Sequence, residues 1–193
     1  MTKQEFDSTY SIYKLADSLA NFSANQVKKS LKTFVCTKNT DVQDFLHNKA
    51  ITFERNLRSC TYLYVSNADK SVAGYFSIGI TYTLTNKLDK AVVKFLDGYT
   101  DETIAIPCYL VGQLGKSDTC KEKIGSFLLD DALSFIDKAQ GILKGRFVLI
   151  DSVNDEKVIE FYKQNSFIAL ENDKSLKSIK MIKPYFEYSE FKI

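Results

Sequence analysis

The chain of 193 residues, 45% of them hydrophobic, is long enough to bury one sizeable core, so we expect a single domain that spans residues 1–193. Its 26 basic and 24 acidic residues nearly cancel, which excludes a general electrostatic field for nucleic acid or an acidic membrane. Its four cysteines lie far apart, with no C-x-x-C pair and a single histidine, His47, which argues against a structural zinc site and favours reduced thiols in a cytoplasmic protein.

The N-terminal third reads mainly as helix. Residues 1–33 carry an irregular apolar face typical of helix and loop, and residues 33–36, Thr-Phe-Val-Cys, read as a short strand. Thr40 and Asp41 can cap a helix that continues to about Arg58. The apolar residues at helical spacing in that helix are Val42, Phe45, Leu46, Ala50 and Phe53.

The middle of the chain alternates between strand and turn. β-branched and aromatic residues dominate residues 61–66 and 72–84, on either side of an Asn-Ala-Asp-Lys turn, which predicts a hairpin. Residues 85–103 allow two interpretations, because residues 90–96 can form a short helix ended by Gly98, or the Asp-Gly pair can be a turn in a longer excursion. We expect this segment to be a variable insertion near a substrate entrance.

The C-terminal part alternates between strand and helix. Residues 124–139 have the best helical pattern of the chain, and we expect this helix to end at Gly141 and Gly145. A second helix should begin at Asn154, a good capping residue, with acidic residues in its first turn. The strands predicted around these helices are residues 105–114, 147–151, 167–170 and 179–182.

A polar loop connects the strand at residues 105–114 to the following helix. A helix that starts near a glycine exposes backbone N–H groups and the positive end of its dipole, which is a ready anion site. Lys116, Lys121 and Lys123 add three ammonium groups, which are serviceable phosphate partners. The alternative is an ordinary solvated charged loop, because Glu122 lies in the same run.

Two local patterns resemble those of the GNAT N-acetyltransferase superfamily. Residues 158–167 resemble its Phe-Tyr-x-x-x-Gly-Phe signature, with Ser166 in the position of the glycine. Residues 120–125 match its Arg/Gln-x-x-Gly-x-Gly/Ala loop at the final glycine, Gly125, while a cysteine and a lysine stand in the other two positions. The resemblance covers most of the chain and implies an α/β GNAT fold, with helices on both faces of a mixed, mainly antiparallel central sheet.

The resemblance also implies an acetyl-CoA-dependent enzyme that transfers acetyl to a primary amine by direct attack, without a metal. Tyr162 would be the general acid that protonates the departing thiolate. The alternative is a purely structural role, as a packed aromatic residue whose hydroxyl finds a partner. No residue stands out as the general base, and Cys108 lies in an apolar strand where a thiol is usually inert. The residues implied to frame the cofactor are Leu114, Lys116, Lys123, Ile124, Gly125, Ser126 and Asn154.

The alternative function is a non-catalytic GNAT-like scaffold that serves as an acyl-CoA sensor or protein-interaction module, which the altered loop motivates. Residues 34–36, 44–46, 50 and 62–65 also resemble a GNAT branch of toxin-like enzymes that acetylate aminoacyl-tRNA. Lysines and arginines near the first helix could provide a surface for tRNA, although we favour ordinary solvated faces.

The remaining partners are open. The amine acceptor is not identified, and a homodimer is one option. The aromatic segment at residues 185–191 could be a partner surface, although we favour closure of the core. No stretch approaches the roughly 18 apolar residues of a membrane helix, so no membrane partner is expected.

Overall fold

The computed structural model describes residues 1–170 and 175–186. Its contacts divide the chain into two compact units. Unit 1 contains Met1–Gly79 and Gly112–Lys138, and unit 2 contains Ile80–Val111 and Ala139–Ile193.

Seven strands form one mixed sheet in the order β1-β2-β3-β4-β5-β7-β6. The ladder between β4 and β5 is parallel, and those joining β1 to β2, β2 to β3, β5 to β7 and β6 to β7 are antiparallel. The predicted mixed, mainly antiparallel sheet is therefore confirmed. The strands are β1 (Tyr10–Lys14), β2 (Cys60–Ser66), β3 (Val72–Leu84), β4 (Ala105–Lys116), β5 (Phe147–Val153), β6 (Ile168–Ala169) and β7 (Ser178–Pro184).

Helices precede, interrupt and follow these strands. Two of the short N-terminal helices begin with a reciprocal capping box, formed by Thr2 with Glu5 and by Ser23 with Gln26. The helices are α1 (Lys3–Thr9), α2 (Leu15–Asn21), α3 (Ala24–Leu31), α4 (Thr40–Asp44), α5 (Ala50–Arg55), α6 (Lys90–Asp97), α7 (Gly125–Ile142) and α8 (Glu156–Gln164).

The N-terminal region corrects two predictions. Tyr10–Lys14 is a strand, which the helix-and-loop prediction missed, and it pairs antiparallel with β2 from Tyr10 opposite Ser66 onward. The short strand predicted at residues 33–36 is wrong, because this segment has no regular secondary structure. Phe34 is nevertheless fully buried there, so its apolar pattern reflects core packing in a loop.

The helix predicted from Thr40 to about Arg58 is present, with three differences. A π-helical turn over Phe45–Lys49 separates α4 from α5, and the last helical residue is Arg55. The N-cap is Asn39, whose side-chain oxygen accepts from the Val42 N–H at 3.3 Å, so the prediction of Thr40 and Asp41 as caps is wrong.

Helices cover both faces of the sheet within unit 1. On one face, residues of α2 to α5 pack on Leu63, Val72 and Tyr75 in a single apolar cluster. On the other face, the Tyr62 ring stacks on Phe135 of α7 with centroids 4.4 Å apart. The alternation of side chains along β2 and β3 places these two sets on opposite faces.

Unit 2 has its own core, formed by α6 with residues of β4, β5 and β7. The short-helix interpretation of residues 90–96 is confirmed, and Gly98 follows α6 with φ of +79°. A Cβ at Gly98 would lie 2.5 Å from the Arg146 guanidinium, which donates to the carbonyl of Leu96.

The C-terminal half corrects one prediction and agrees with another. Helix α7 continues through Gly141 to Ile142, so Gly141 does not end it as predicted. Phe186 packs edge-on against Phe95 at 5.0 Å, which fits closure of the core, whereas residues 187–191 of the aromatic segment lie outside the described residues. No helix in the described part of the chain combines the length and apolarity needed to cross a bilayer.

Candidate active site

The loop at residues 117–124, which we call the β4–α7 loop, is attached to the loop between α3 and α4. The Asp118 N–H donates to the carbonyl of Val35 at 2.7 Å, and the Val35 N–H donates to the Ser117 hydroxyl at 3.2 Å. The Asp118 carboxylate accepts from both the N–H and the hydroxyl of Thr37 at 2.7 Å, which holds its pKa below the usual value. The first half of the β4–α7 loop is therefore held by several directed bonds.

The second half of the loop is attached to β1. The Tyr10 hydroxyl donates to Glu122 Oε2 at 2.9 Å and lies 3.4 Å from Cys120 Sγ. The Cys120 thiol lies 3.5 Å from the same carboxylate oxygen. Hydrogen bonds from its own backbone N–H, Tyr10 and Cys120 lower the pKa of Glu122, so this carboxylate stays charged at neutral pH.

The three lysines of the loop do not have the same environment. Lys116 Nζ donates to the carbonyls of Cys120 and Ser117, so its ammonium closes the loop on itself. Lys121 and Lys123 are exposed. Two of the three predicted ammonium groups are thus available to an anion, and the third holds the loop.

Helix α7 begins directly after this loop. The Leu128 N–H donates to the carbonyl of Ile124 at the start of the helix, so the N–H groups of Gly125, Ser126 and Phe127 precede the helical ladder. Ile124 is fully buried. A Cβ at Gly74 of β3 would lie 2.9 Å from Leu128 Cδ1, so that glycine lets α7 approach the sheet closely. The predicted residues from Lys123 to Ser126 therefore lie together at a helix N-terminus.

The glycines of β4 have different surroundings. Gly115 faces α4, because a Cβ there would lie 2.4 Å from Val42 Cγ1, so its small size serves packing. Gly112 is exposed and Leu114 is half-buried. The parallel ladder with β5 includes Tyr109–Val111, so the later residues of β4 lie outside that ladder.

Tyr162 lies near the end of α8 and is 6% exposed. Its ring packs edge-on against Phe161 at 5.2 Å and Phe167 at 5.6 Å. Burial raises the pKa of Tyr162 to about 12, so the phenol is protonated at neutral pH. Within the described residues its hydroxyl has no hydrogen-bond partner. The phenol is therefore able to donate a proton to an incoming group.

The residues around Tyr162 form a Schellman motif at the end of α8. The Phe167 N–H donates to the carbonyl of Tyr162, and the Ser166 N–H donates to that of Lys163, both at 3.0 Å. Ser166 has φ of +67°, the left-handed conformation that glycine adopts most easily. The ring contact between Tyr162 and Phe167 is the apolar contact that accompanies such motifs. The spacing Tyr-x-x-x-Ser-Phe thus encodes a helix stop that holds the tyrosine in place.

The start of α8 differs from the prediction. The N-cap is Asp155, whose carboxylate accepts from the N–H groups of Lys157 and Val158, so the prediction of Asn154 as the cap is wrong. Asn154 instead joins the β5–α8 turn to the chain before β7, because its side-chain amide donates to the carbonyl of Leu176 at 2.8 Å.

Other candidate groups have structural surroundings. His47 Nε2 lies 2.9 Å from the carbonyl of Phe34. Cys108 is buried, which raises the pKa of its thiol to about 11 and leaves it a poor nucleophile at neutral pH. Within residues 1–170 and 175–186, no group of three acidic, histidine or cysteine side chains is placed to hold a metal ion.

Comparisons with known proteins identify the fold. No protein-family model matches the chain, and no curated protein sequence matches it. Solved structures do match over 91% of the chain. AtaT complexed with acetyl-methionyl-tRNAfMet has 20% identity and a TM-score of 0.67 over 94% of its own chain.

Two further structures give the same result. AtaTR bound with AcCoA has 18% identity, 94% coverage of its chain and a TM-score of 0.64. A mutant of KacT has 16% identity, 95% coverage and a TM-score of 0.70. The GNAT fold expected from the sequence is therefore confirmed, and the chain shares this fold with AtaT and KacT.

Proposed function

We propose that the chain transfers the acetyl group of acetyl-CoA to a primary amine. The observation that carries this proposal is the phenol of Tyr162, which is buried, protonated and without a hydrogen-bond partner among the described residues, at the position of the family signature. A merely structural buried tyrosine usually finds a partner for its hydroxyl. The fold shared with AtaT, one structure of which carries AcCoA, supports the same function.

The β4–α7 loop fits the phosphates of acetyl-CoA. Gly125, Ser126 and Ile124 lie at the start of α7, where free N–H groups and the helix dipole favour an anion. Exposed Lys123 adds positive charge. Lys116 acts by closing the loop, while we propose that Leu114 and Asn154 contact the remainder of the cofactor.

The chemistry needs one proton donor. The amine nitrogen attacks the thioester carbonyl, and a tetrahedral intermediate forms. When it collapses, the C–S bond breaks and its electron pair goes to sulfur. Tyr162 supplies a proton to that sulfur as general acid, and solvent takes the proton lost by the amine.

Replacing Tyr162 by phenylalanine tests the proposal. Release of CoA thiol is measured with a panel of amines that includes polyamines, peptides, protein lysines and aminoacyl-tRNA. We expect Tyr162→Phe to lower kcat by about 10²-fold or more, because the proton donor is lost, with KM for acetyl-CoA within about twofold.

The matched control is Tyr82→Phe, because Tyr82 is 63% exposed on β3. This variant should keep the wild-type rate. An unchanged kcat in Tyr162→Phe would refute the acid role. Binding of acetyl-CoA without turnover of any amine would instead support the acyl-CoA sensor.

Aminoacyl-tRNA is the acceptor that one observation favours within this panel. The 23 residues between Asp17 and Asp41 contain no acid, and Lys28, Lys29 and Lys32 are exposed there. AtaT has been solved with acetyl-methionyl-tRNAfMet. Lys49 contributes less to such a surface, because it pairs with Asp44 at 2.7 Å.

A further inference from the structure

The β4–α7 loop contains a negative charge where the proposed function needs a positive one. Glu122 lies between Lys121 and Lys123, the two exposed lysines of the loop. A carboxylate beside a phosphate site repels the ligand, and a carboxylate that pairs with a neighbouring lysine cancels its charge. The position of the Glu122 side chain therefore affects phosphate binding.

The structure ties that carboxylate to β1. Glu122 Oε2 accepts from the Tyr10 hydroxyl at 2.9 Å and lies 3.5 Å from Cys120 Sγ. Within the described residues, neither Lys121 nor Lys123 forms an ion pair with it. Glu122 thus uses a hydroxyl and a thiol as partners and leaves both lysines unneutralised.

Tyr10 is well suited to hold a side chain in place. It is 7% exposed, and its ring packs 5.3 Å from that of Phe6. Tyr10 is also the first residue of β1, where its backbone pairs with Ser66 of β2. Because the ring and the backbone are both fixed, the hydroxyl has a fixed place from which to bind the carboxylate.

We propose that Tyr10 is a positioning residue for the phosphates of acetyl-CoA, which acts by holding the Glu122 carboxylate away from Lys121 and Lys123. The inference rests on the proposed function, since it concerns the same cofactor. It also explains why an acidic residue is tolerated in this loop.

The test is a calorimetric affinity measurement on four proteins: wild type, Tyr10→Phe, Glu122→Gln and the double variant. We expect Tyr10→Phe to raise the Kd for acetyl-CoA about fivefold, because the freed carboxylate pairs with the lysines or faces the phosphates. Glu122→Gln alone, and the double variant, should bind within about twofold of wild type or more tightly. The fivefold effect should shrink in about 0.5 M salt, since exposed charges are screened there.

Two controls separate charge from structure. S-acetylpantetheine lacks the phosphates, so its affinity should be the same in wild type and Tyr10→Phe. Tyr64→Phe removes a comparable bond, from the Tyr64 hydroxyl to Asp131 at 2.6 Å, outside the loop, and should leave acetyl-CoA affinity unchanged.

Each outcome has one meaning. An unchanged Kd in Tyr10→Phe would overturn this inference and leave the proposed function standing. The inference would also be overturned if Tyr10→Phe weakens acetyl-CoA binding and Glu122→Gln does not restore the affinity, or if the loss persists at high salt. The role of Tyr10 would then be structural. No binding of acetyl-CoA to the wild type would overturn both proposals.

Discussion

At the scale of single residues, Tyr162 is held by a helix-ending motif whose members are close together in the sequence. The pattern that ends in Ser166 and Phe167 is a helix stop, and a helix stop depends on spacing within six residues. The cap at the other end of α8 was assigned one residue early. Asn154 and Asp155 are adjacent and both are good caps, so local preference alone cannot separate them.

Ser166 provides a stability prediction. A non-glycine residue with φ of +67° is strained, so Ser166→Gly should raise the free energy of unfolding by about 1 kcal/mol. Ser134, exposed in the middle of α7, is the matched control. There the same change should lower the free energy of unfolding by about 0.5 kcal/mol, because glycine weakens a helix. Urea denaturation measures both, and a loss of stability in Ser166→Gly would contradict the argument.

Glu54 provides a prediction about pH. Glu54 is 8% exposed and its carboxylate accepts from the Thr61 N–H at 2.7 Å, and burial raises the pKa of this carboxyl above the usual value of 4.5. The folded chain therefore binds this proton more tightly than the unfolded chain, so Glu54 lowers stability as pH rises from 4.5 through its folded pKa.

Glu54→Gln removes this titrating group. The melting temperature of the variant minus that of wild type should therefore be larger at about pH 7.5 than at about pH 4.5. Thermal unfolding at both values measures the difference. A difference that is equal at the two pH values, or that decreases, would show that the pKa of Glu54 is not raised.

At the scale of elements, periodicity predicted the long segments and missed the short ones. The hairpin of β2 and β3, the strand β4 and the helix α7 all have clear periods, and the structure confirms them. β1 has five residues between two helices, and its strand conformation depends on pairing with β2, in which the partner of Tyr10 is Ser66, more than fifty residues further along the chain. Residues 33–36 have strand-like composition, yet the backbone of Val35 bonds to Ser117 and Asp118 of a distant loop rather than to a neighbouring strand. Tertiary contacts decide such segments, and they are not visible in local sequence.

The contact between β4 and α4 gives the element-scale prediction. Gly115→Ala should lower the free energy of unfolding by about 1 to 3 kcal/mol, because the new Cβ would lie 2.4 Å from Val42 Cγ1. Val42→Ala should restore part of that loss in the double variant. The opposite sign is expected for Gly141→Ala in α7, where no atom lies within 4 Å, with a gain of about 1 kcal/mol. Equal stability of Gly115→Ala and wild type would contradict this prediction, because α4 would then move away from β4 without a cost in free energy.

At the scale of the whole molecule, the fold was predicted from a resemblance to the GNAT superfamily that two local patterns carry, and the structure confirms it. The strand, loop and helix followed by a second strand and helix lie in a chain that shares its fold with AtaT and KacT. The acceptor was not predictable in the same way. Its recognition depends on surface side chains from separate segments, and these follow no local pattern.

The measurement that tests the central claim most directly is calorimetric titration of the purified chain with acetyl-CoA, beside free CoA and a nucleotide of matched phosphate content. We predict saturable binding of acetyl-CoA at one site per chain, with much weaker binding of the nucleotide, because it lacks the pantetheine arm. The absence of saturable acetyl-CoA binding, or equal affinity for the nucleotide, would contradict the proposed acetyl-CoA site.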